Sequence, residues 1–160
     1  PLYSSAASDV YKRQDLTETT GTSYKIIPGT NIAKDPKVTV AADSEACWLF
    51  VKVEETGTFV ADKVTYAIAN GWTQGDGTEI PSNVYYREVS AEDAKTGVNY
   101  YVLAGNATYP NGVITVSETL TKENIPTANP TLKITAYAVQ QENIADAATA
   151  WSKIPQPTNP

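Results

Sequence analysis

Along residues 46–54 apolar side chains occupy both alternating sets. Cys47, Leu49, Val51 and Val53 share one face while Trp48, Phe50, Lys52 and Glu54 share the other, which predicts a strand whose first half is covered on both sides. Residues 132–139 read similarly, with Leu132, Ile134, Ala136 and Ala138 alternating with Lys133, Thr135, Tyr137 and Val139. Val38 and Val40 alternate with Lys37 and Thr39 as a half-buried strand should. Shorter β-prone runs lie at 24–27, 64–69, 83–89, 100–103 and 112–117. Pro28-Gly29-Thr30-Asn31 ends the first as a turn. Asn70-Gly71 and Gly75-Asp76-Gly77 predict a long-tipped hairpin joining 64–69 to 83–89, and Pro110-Asn111-Gly112 predicts another joining 100–103 to 112–117.

Two helical segments are expected. Residues 119–125 predict a short helical turn ended by Pro126 and Pro130. In the second, Asn143 is the expected N-cap, and Ile144, Ala147, Ala148 and Trp151 fall at i, i+3, i+4 and i+7, one apolar stripe that would lie against a sheet. Residues 155–160 are proline-rich and predict a disordered tail.

The first fourteen residues, PLYSSAASDVYKRQ, show no such periodicity. They look like a translated adapter leader, and residues 1–14 are therefore expected to be a non-native or disordered segment outside the fold. Residues 15–154 then form one domain, a mainly β, antiparallel β-sandwich with a short C-terminal helix packed against it.

Composition agrees with the pattern. Thr, Val, Ile and Tyr supply 21, 14, 10 and 10 residues against 6 Leu, and such side chains suit a pleated, half-buried surface. Net charge is −6 with scattered basic residues, so no footprint for nucleic acid is visible. No apolar run is long enough for a membrane-spanning helix.

Histidine is absent altogether. That removes Ser-His-Asp and Cys-His pairs, the HExxH motif and the facial triad. Cys47 sits mid-strand, as core rather than nucleophile. Glu54-Glu55 would point to opposite faces of a strand, and Glu92-Asp93 reads as a solvated rim. The Gly75-Asp76-Gly77 tip lacks the spaced acids of a calcium loop, and Asn106-Ala107-Thr108 matches only the glycosylation triplet. No catalytic, cofactor-binding or metal-ligating residue is expected, and no cofactor. Among the aromatics, Trp48, Phe50, Trp72, Tyr86 and Tyr101 are the candidates for contact with a partner or ligand; most such rings are core, but neighbours such as Tyr85-Tyr86 and Tyr100-Tyr101 force one ring to each face.

Three segments together carry a family resemblance. Tyr24-Lys-Ile-Ile-Pro28-Gly29 through Lys34-Asp35-Pro36-Lys-Val-Thr-Val40, then Ala46-Cys-Trp-Leu-Phe-Val-Lys-Val53, is similar to the PG…KDP…V.V…AYVRVKV core of the TasA/camelysin-like family of secreted Gram-positive biofilm matrix proteins, exported with a SipW-type signal peptide. Asn83-Val-Tyr-Tyr-Arg87 and residues 132–151 resemble its later strands and closing helix. The resemblance covers about residues 15–154. It implies a jelly-roll-like sandwich at the cell surface or in the extracellular matrix, whose partners are other copies of itself or other matrix proteins. Fibres of such subunits grow by donor-strand exchange, with Asp15, Leu16 and Thr17 as the stub of the donor strand. That mechanism expects an unfinished edge beside residues 46–54; a sandwich closed entirely from within would count against it. Two other readings stand beside it. One is a monomeric adhesin or carbohydrate-binding module using Trp48 or Trp72; the other is a camelysin-like metallopeptidase, for which no residue here offers a site.

Overall fold

The structure, a computed structural model, describes residues 4–8, 14–20, 24–56, 63–124 and 131–155. Its strands are β1 (Ser4–Ser8), β2 (Gln14–Thr17), β3 (Asn31–Ala33), β4 (Lys37–Val40), β5 (Cys47–Thr56), β6 (Val64–Thr65), β7 (Thr73–Gln74), β8 (Val84–Val89), β9 (Val98–Tyr101), β10 (Val113–Val116) and β11 (Thr131–Gln140). Helix α1 spans Ala91–Thr96 and α2 spans Ala147–Ser152. The chain is a β-sandwich. One layer is the five-stranded sheet β1-β11-β5-β8-β7, and two three-stranded sheets, β3-β10-β6 and β2-β4-β9, cover its inner face.

Alternation explains the core. Leu49, Val51 and Val53 of β5 and Leu132, Ile134, Ala136 and Ala138 of β11 turn inward and meet Leu16, Val38 and Val40 from one covering sheet and Val64, Ile114 and Val116 from the other. The opposite face of the large sheet is also dry. Tyr137, Phe50 and Tyr86 stand in register across β11, β5 and β8, and Trp151 of α2 lies on that row, with ring centroids 5.3 Å from Phe50 and 5.7 Å from Tyr137. Both faces of the first half of β5 are covered, as its pattern predicts.

Four expectations are corrected. The runs at 64–69 and 83–89 form no hairpin with each other: β6 pairs with β10, whereas β8 pairs with β5 and β7. The chain changes layer near Asn70-Gly71, and the true hairpin is the shorter β7-β8 one. Its tip is set by Asp76, whose Oδ1 accepts the N–H groups of Thr78, Glu79 and Ile80 at 2.9, 3.0 and 3.1 Å. Those bonds, that of Thr78 foremost, hold the Asp76 carboxyl down at about 2. Likewise β9 pairs with β4 and β10 with β3 and β6, so the turn at Pro110-Asn111 is a corner between sheets. A Cβ at Gly112 would lie 2.0 Å from the Lys34 carbonyl, so this corner requires glycine.

Third, α2 begins at Ala147, with Asp146 as its N-cap accepting the Thr149 N–H at 2.7 Å. Asn143 instead takes a positive φ of 61° in the preceding turn, a conformation Asn tolerates better than most residues. The helix α1 is absent from the pattern reading. Its signal was legible: Ser90 accepts the Asp93 N–H at 3.1 Å and donates back to the Asp93 carboxylate at 3.0 Å, a reciprocal cap, which places Glu92 and Asp93 in a first turn. In the 119–125 segment a single 3-10 turn forms at Lys122–Asn124.

The fourth correction concerns the N-terminus. Ser4–Ser8 are not left outside the sheet: they form β1, which runs parallel to β11, while β2 starts one residue before the expected boundary. An exposed strand edge accepts any extended backbone, because its hydrogen bonds go to main-chain groups. Residues 9–13 and the tail at 156–160 lie outside the described residues.

Candidate functional site

The feature that stands apart from ordinary core packing is the way the N-terminal segment closes one side of the sandwich. β1 is the edge of the large sheet and β2 is the edge of the sheet facing it. Without residues 4–17, the ten-residue β11 and the shorter β4 would both be open edges on the same side.

The two strands are held unequally. In β2, Asp15, Leu16 and Thr17 pair with Thr39, Val38 and Lys37, and Leu16 is buried in the core. In β1, Ser4 and Ser5 pair with Ile134 and Thr135, and the register shifts before Ser8 meets Tyr137. The edge expected beside residues 46–54 is not there. β5 is central, with β11 on one side and β8 on the other, and the edge lies one strand further out.

Immediately after β2 a polar clasp roots the segment. Lys34 is wholly buried, and its Nζ lies 2.5 Å from Glu18 Oε1, with the two side chains 0% and 2% exposed. The Tyr24 hydroxyl donates to the same oxygen at 3.2 Å, and its ring centroid is 5.8 Å from the ammonium. Asp35 accepts the Thr19 and Thr20 N–H groups at 2.9 and 3.1 Å, the Thr20 hydroxyl at 2.9 Å and the Thr19 hydroxyl as well. Burial pushes the Lys34 amine below its ordinary value against the pull of Glu18, and it pushes the Tyr24 hydroxyl up to about 12. For Asp35, burial acts upward, but the four threonine bonds outweigh it and hold the carboxyl below 3.8. Lys34-Asp35-Pro36 thus serves the architecture, fastening residues 18–20 to the corner before β4. Sequence alone could not pair Glu18 with Lys34, because nothing local brings them together.

At the Gln14 end of this side a cavity of about 260 Å³ opens between the layers, lined by Gln14, Val40, Cys47, Ala138 and Gln140 among others. Burial pushes the Cys47 thiol up to about 11, so little thiolate is present at neutral pH.

The five aromatic candidates do not converge. Phe50 is fully buried beneath α2 and cannot touch a partner, so that expectation is corrected. Trp48 and Tyr86 are half-buried on the same outer face, with centroids 6.4 Å apart. Trp72 and Tyr101 sit elsewhere, at the flank opposite β1 and β2, where Trp72 Nε1 donates to the Tyr101 carbonyl at 2.9 Å. Asp76 and Asp146 face a common depression, but each already caps backbone amides. Among the described residues no group of three or more His, Cys, Asp or Glu side chains could hold a metal ion, and no helix is long and apolar enough to cross a membrane. Comparison with family models, with curated proteins and with solved structures gave no match.

Proposed function

We propose that the chain is a secreted, non-enzymatic structural subunit of a Gram-positive cell surface or biofilm matrix, joined to further copies by exchange of its N-terminal strand. The observation that carries this reading is the contrast within the N-terminal segment. A patternless stretch lies along β11 in a broken register, while the residues just behind it are fastened by a buried ion pair and four threonine bonds. β1 is also an outermost strand, so it can leave β11 without displacing another strand.

In this structure the edge is closed from within. That weighs against a subunit that waits open, and it restricts the proposal to a swap in which the arm of one copy takes the place on β11 that the neighbour's own arm vacates. Such a contact is head to tail, and it grows into a filament when the rotation between copies does not close. The jelly-roll-like topology, the surface location and the matrix partners rest on the family resemblance alone.

The test mixes two variants, Ser5→Cys and Thr135→Cys, whose Cα positions are partners in the β1–β11 ladder. A disulfide between the two chains under mild oxidation, with filaments of the unsubstituted protein in electron micrographs, is the expected result. A protein that stays monomeric across concentration and pH, and yields no more cross-link than a variant with cysteine at the exposed Lys133, would overturn it.

A further inference from the structure

The flank opposite the N-terminal arm carries a different feature. There β8 of the large sheet faces β9 of the covering sheet, and Arg87 reaches across the gap. Its Cζ lies 3.6 Å from the Tyr100 ring centroid and 5.4 Å from that of Trp72, and the two rings meet at 76°. They form a corner that holds the guanidinium by cation–π attraction. On a third side is Gly71, at φ +90°, where a Cβ would stand 3.1 Å from both Nη1 and Nη2. The planar fork is therefore fixed before any ligand arrives.

Its electrostatics are incomplete. Arg87 Nε is buried with no hydrogen-bond partner, and the ion pairs among the described residues, Lys34–Glu18 and Lys52–Glu54, do not involve it. Stacking satisfies the faces of a guanidinium and leaves its N–H edge to find an acceptor. That edge borders a cleft of about 420 Å³, lined also by Asn70, Asn99, Tyr101, Gly105 and Pro110. Clefts for small ligands run from about 300 to 1,000 Å³. Asn99 already accepts from the Thr39 hydroxyl at 2.7 Å through Oδ1, which leaves its amide nitrogen as the donor toward the cleft.

We infer that this cleft is a binding site for a carboxylated saccharide, with Arg87 gripping the carboxylate and the two asparagine amides and Tyr101 meeting ring hydroxyls. One cation in a chain of net charge −6 suits a monoanion better than a phosphate dianion. Paired amides with a phenol suit a hydroxyl-rich ligand better than an apolar one. The site lies on the flank away from β1 and β2, so its failure and the failure of strand exchange are separate results.

The experiment titrates the full chain with glucuronate, with glucose and with acetate, following amide and Arg Nε shifts by NMR. Saturable binding of glucuronate is expected, about tenfold or more tighter than either comparator, because a charge-assisted bond and the hydroxyl contacts are each worth a factor of that order. Arg87→Lys, which keeps the charge and loses the fork, and Asn99→Ala, an exposed position that leaves the fold intact, should each weaken it several-fold. Glucose or acetate binding as well as glucuronate, no saturation, or glucuronate binding unchanged in both variants would overturn the assignment.

Discussion

Strand β11 has two neighbours, and they are joined to it on different terms. On one side β5 matches it over ten consecutive antiparallel pairs from Thr131–Thr56 to Gln140–Cys47, with apolar side chains buried on both faces. On the other side β1 runs parallel and breaks register within five residues. A slip of one residue at β5 would turn Leu49 and Val51 out of the core and bring Trp48 and Lys52 into it, so side chains enforce that register. The β1 ladder rests on main-chain hydrogen bonds, which any extended segment can supply. A strand held by its backbone is replaceable, and one held by its side chains is not.

The largest way to break this contrast is at the root of the arm. Glu18→Ala leaves the Lys34 ammonium buried without its counter-charge and should cost about 3–5 kcal/mol in denaturant melts. Leu49→Ala, in the β5 register, should cost about 2–5 kcal/mol because the cavity it leaves has rigid walls on both sheets. A cost near zero would mean that β5 is not the specified strand.

Asp35→Asn should cost about 1.5–3 kcal/mol at neutral pH by weakening charge-assisted bonds from Thr19 and Thr20. Its pH signature is distinct. The folded carboxyl titrates below 3.8, so its contribution is present above about pH 4 and is lost as pH falls through the folded value. The variant should therefore flatten the acid limb of a melting curve against pH and leave the neutral plateau level.

Asp146→Ala removes the cap of α2 and should cost about 0.5–2 kcal/mol, read as a lower melting temperature with the sandwich intact. Deleting residues 1–8 should move the melting temperature least of all. It should instead make light scattering depend on concentration, because β11 then presents a long open edge. A truncated chain that melts far lower and stays monomeric would show that β1 belongs to the fold as firmly as β5.

Some of this was legible from residues alone. The inward set Leu49, Val51, Val53, Leu132, Ile134, Ala136 and Ala138 follows from period-two alternation, and Trp151 over the sheet follows from the stripe that ends in it. The hairpin between 64–69 and 83–89 failed because Asn70-Gly71 reports that the chain turns, not which sheet it enters. The candidate contacts failed for a related reason: alternation puts Phe50 on the outer face of β5, but only the packing of α2 shows that this face is covered. Arg87 drew attention only as the end of a family-like segment, since nothing near it in sequence tells that Trp72 and Tyr100 will box it in.

What the chain determines by itself is local: which residues pair into strands, which face of each is apolar, and that no histidine chemistry exists. Those follow from steric and hydrophobic preferences that act over a few residues. Tertiary structure alone decided that Glu18 neutralises Lys34, that β11 rather than β5 carries the exposed edge, and that one flank closes on an arm while the other opens on a cation. Each of these depends on contacts between distant segments, whose energies exist only once the layers have packed.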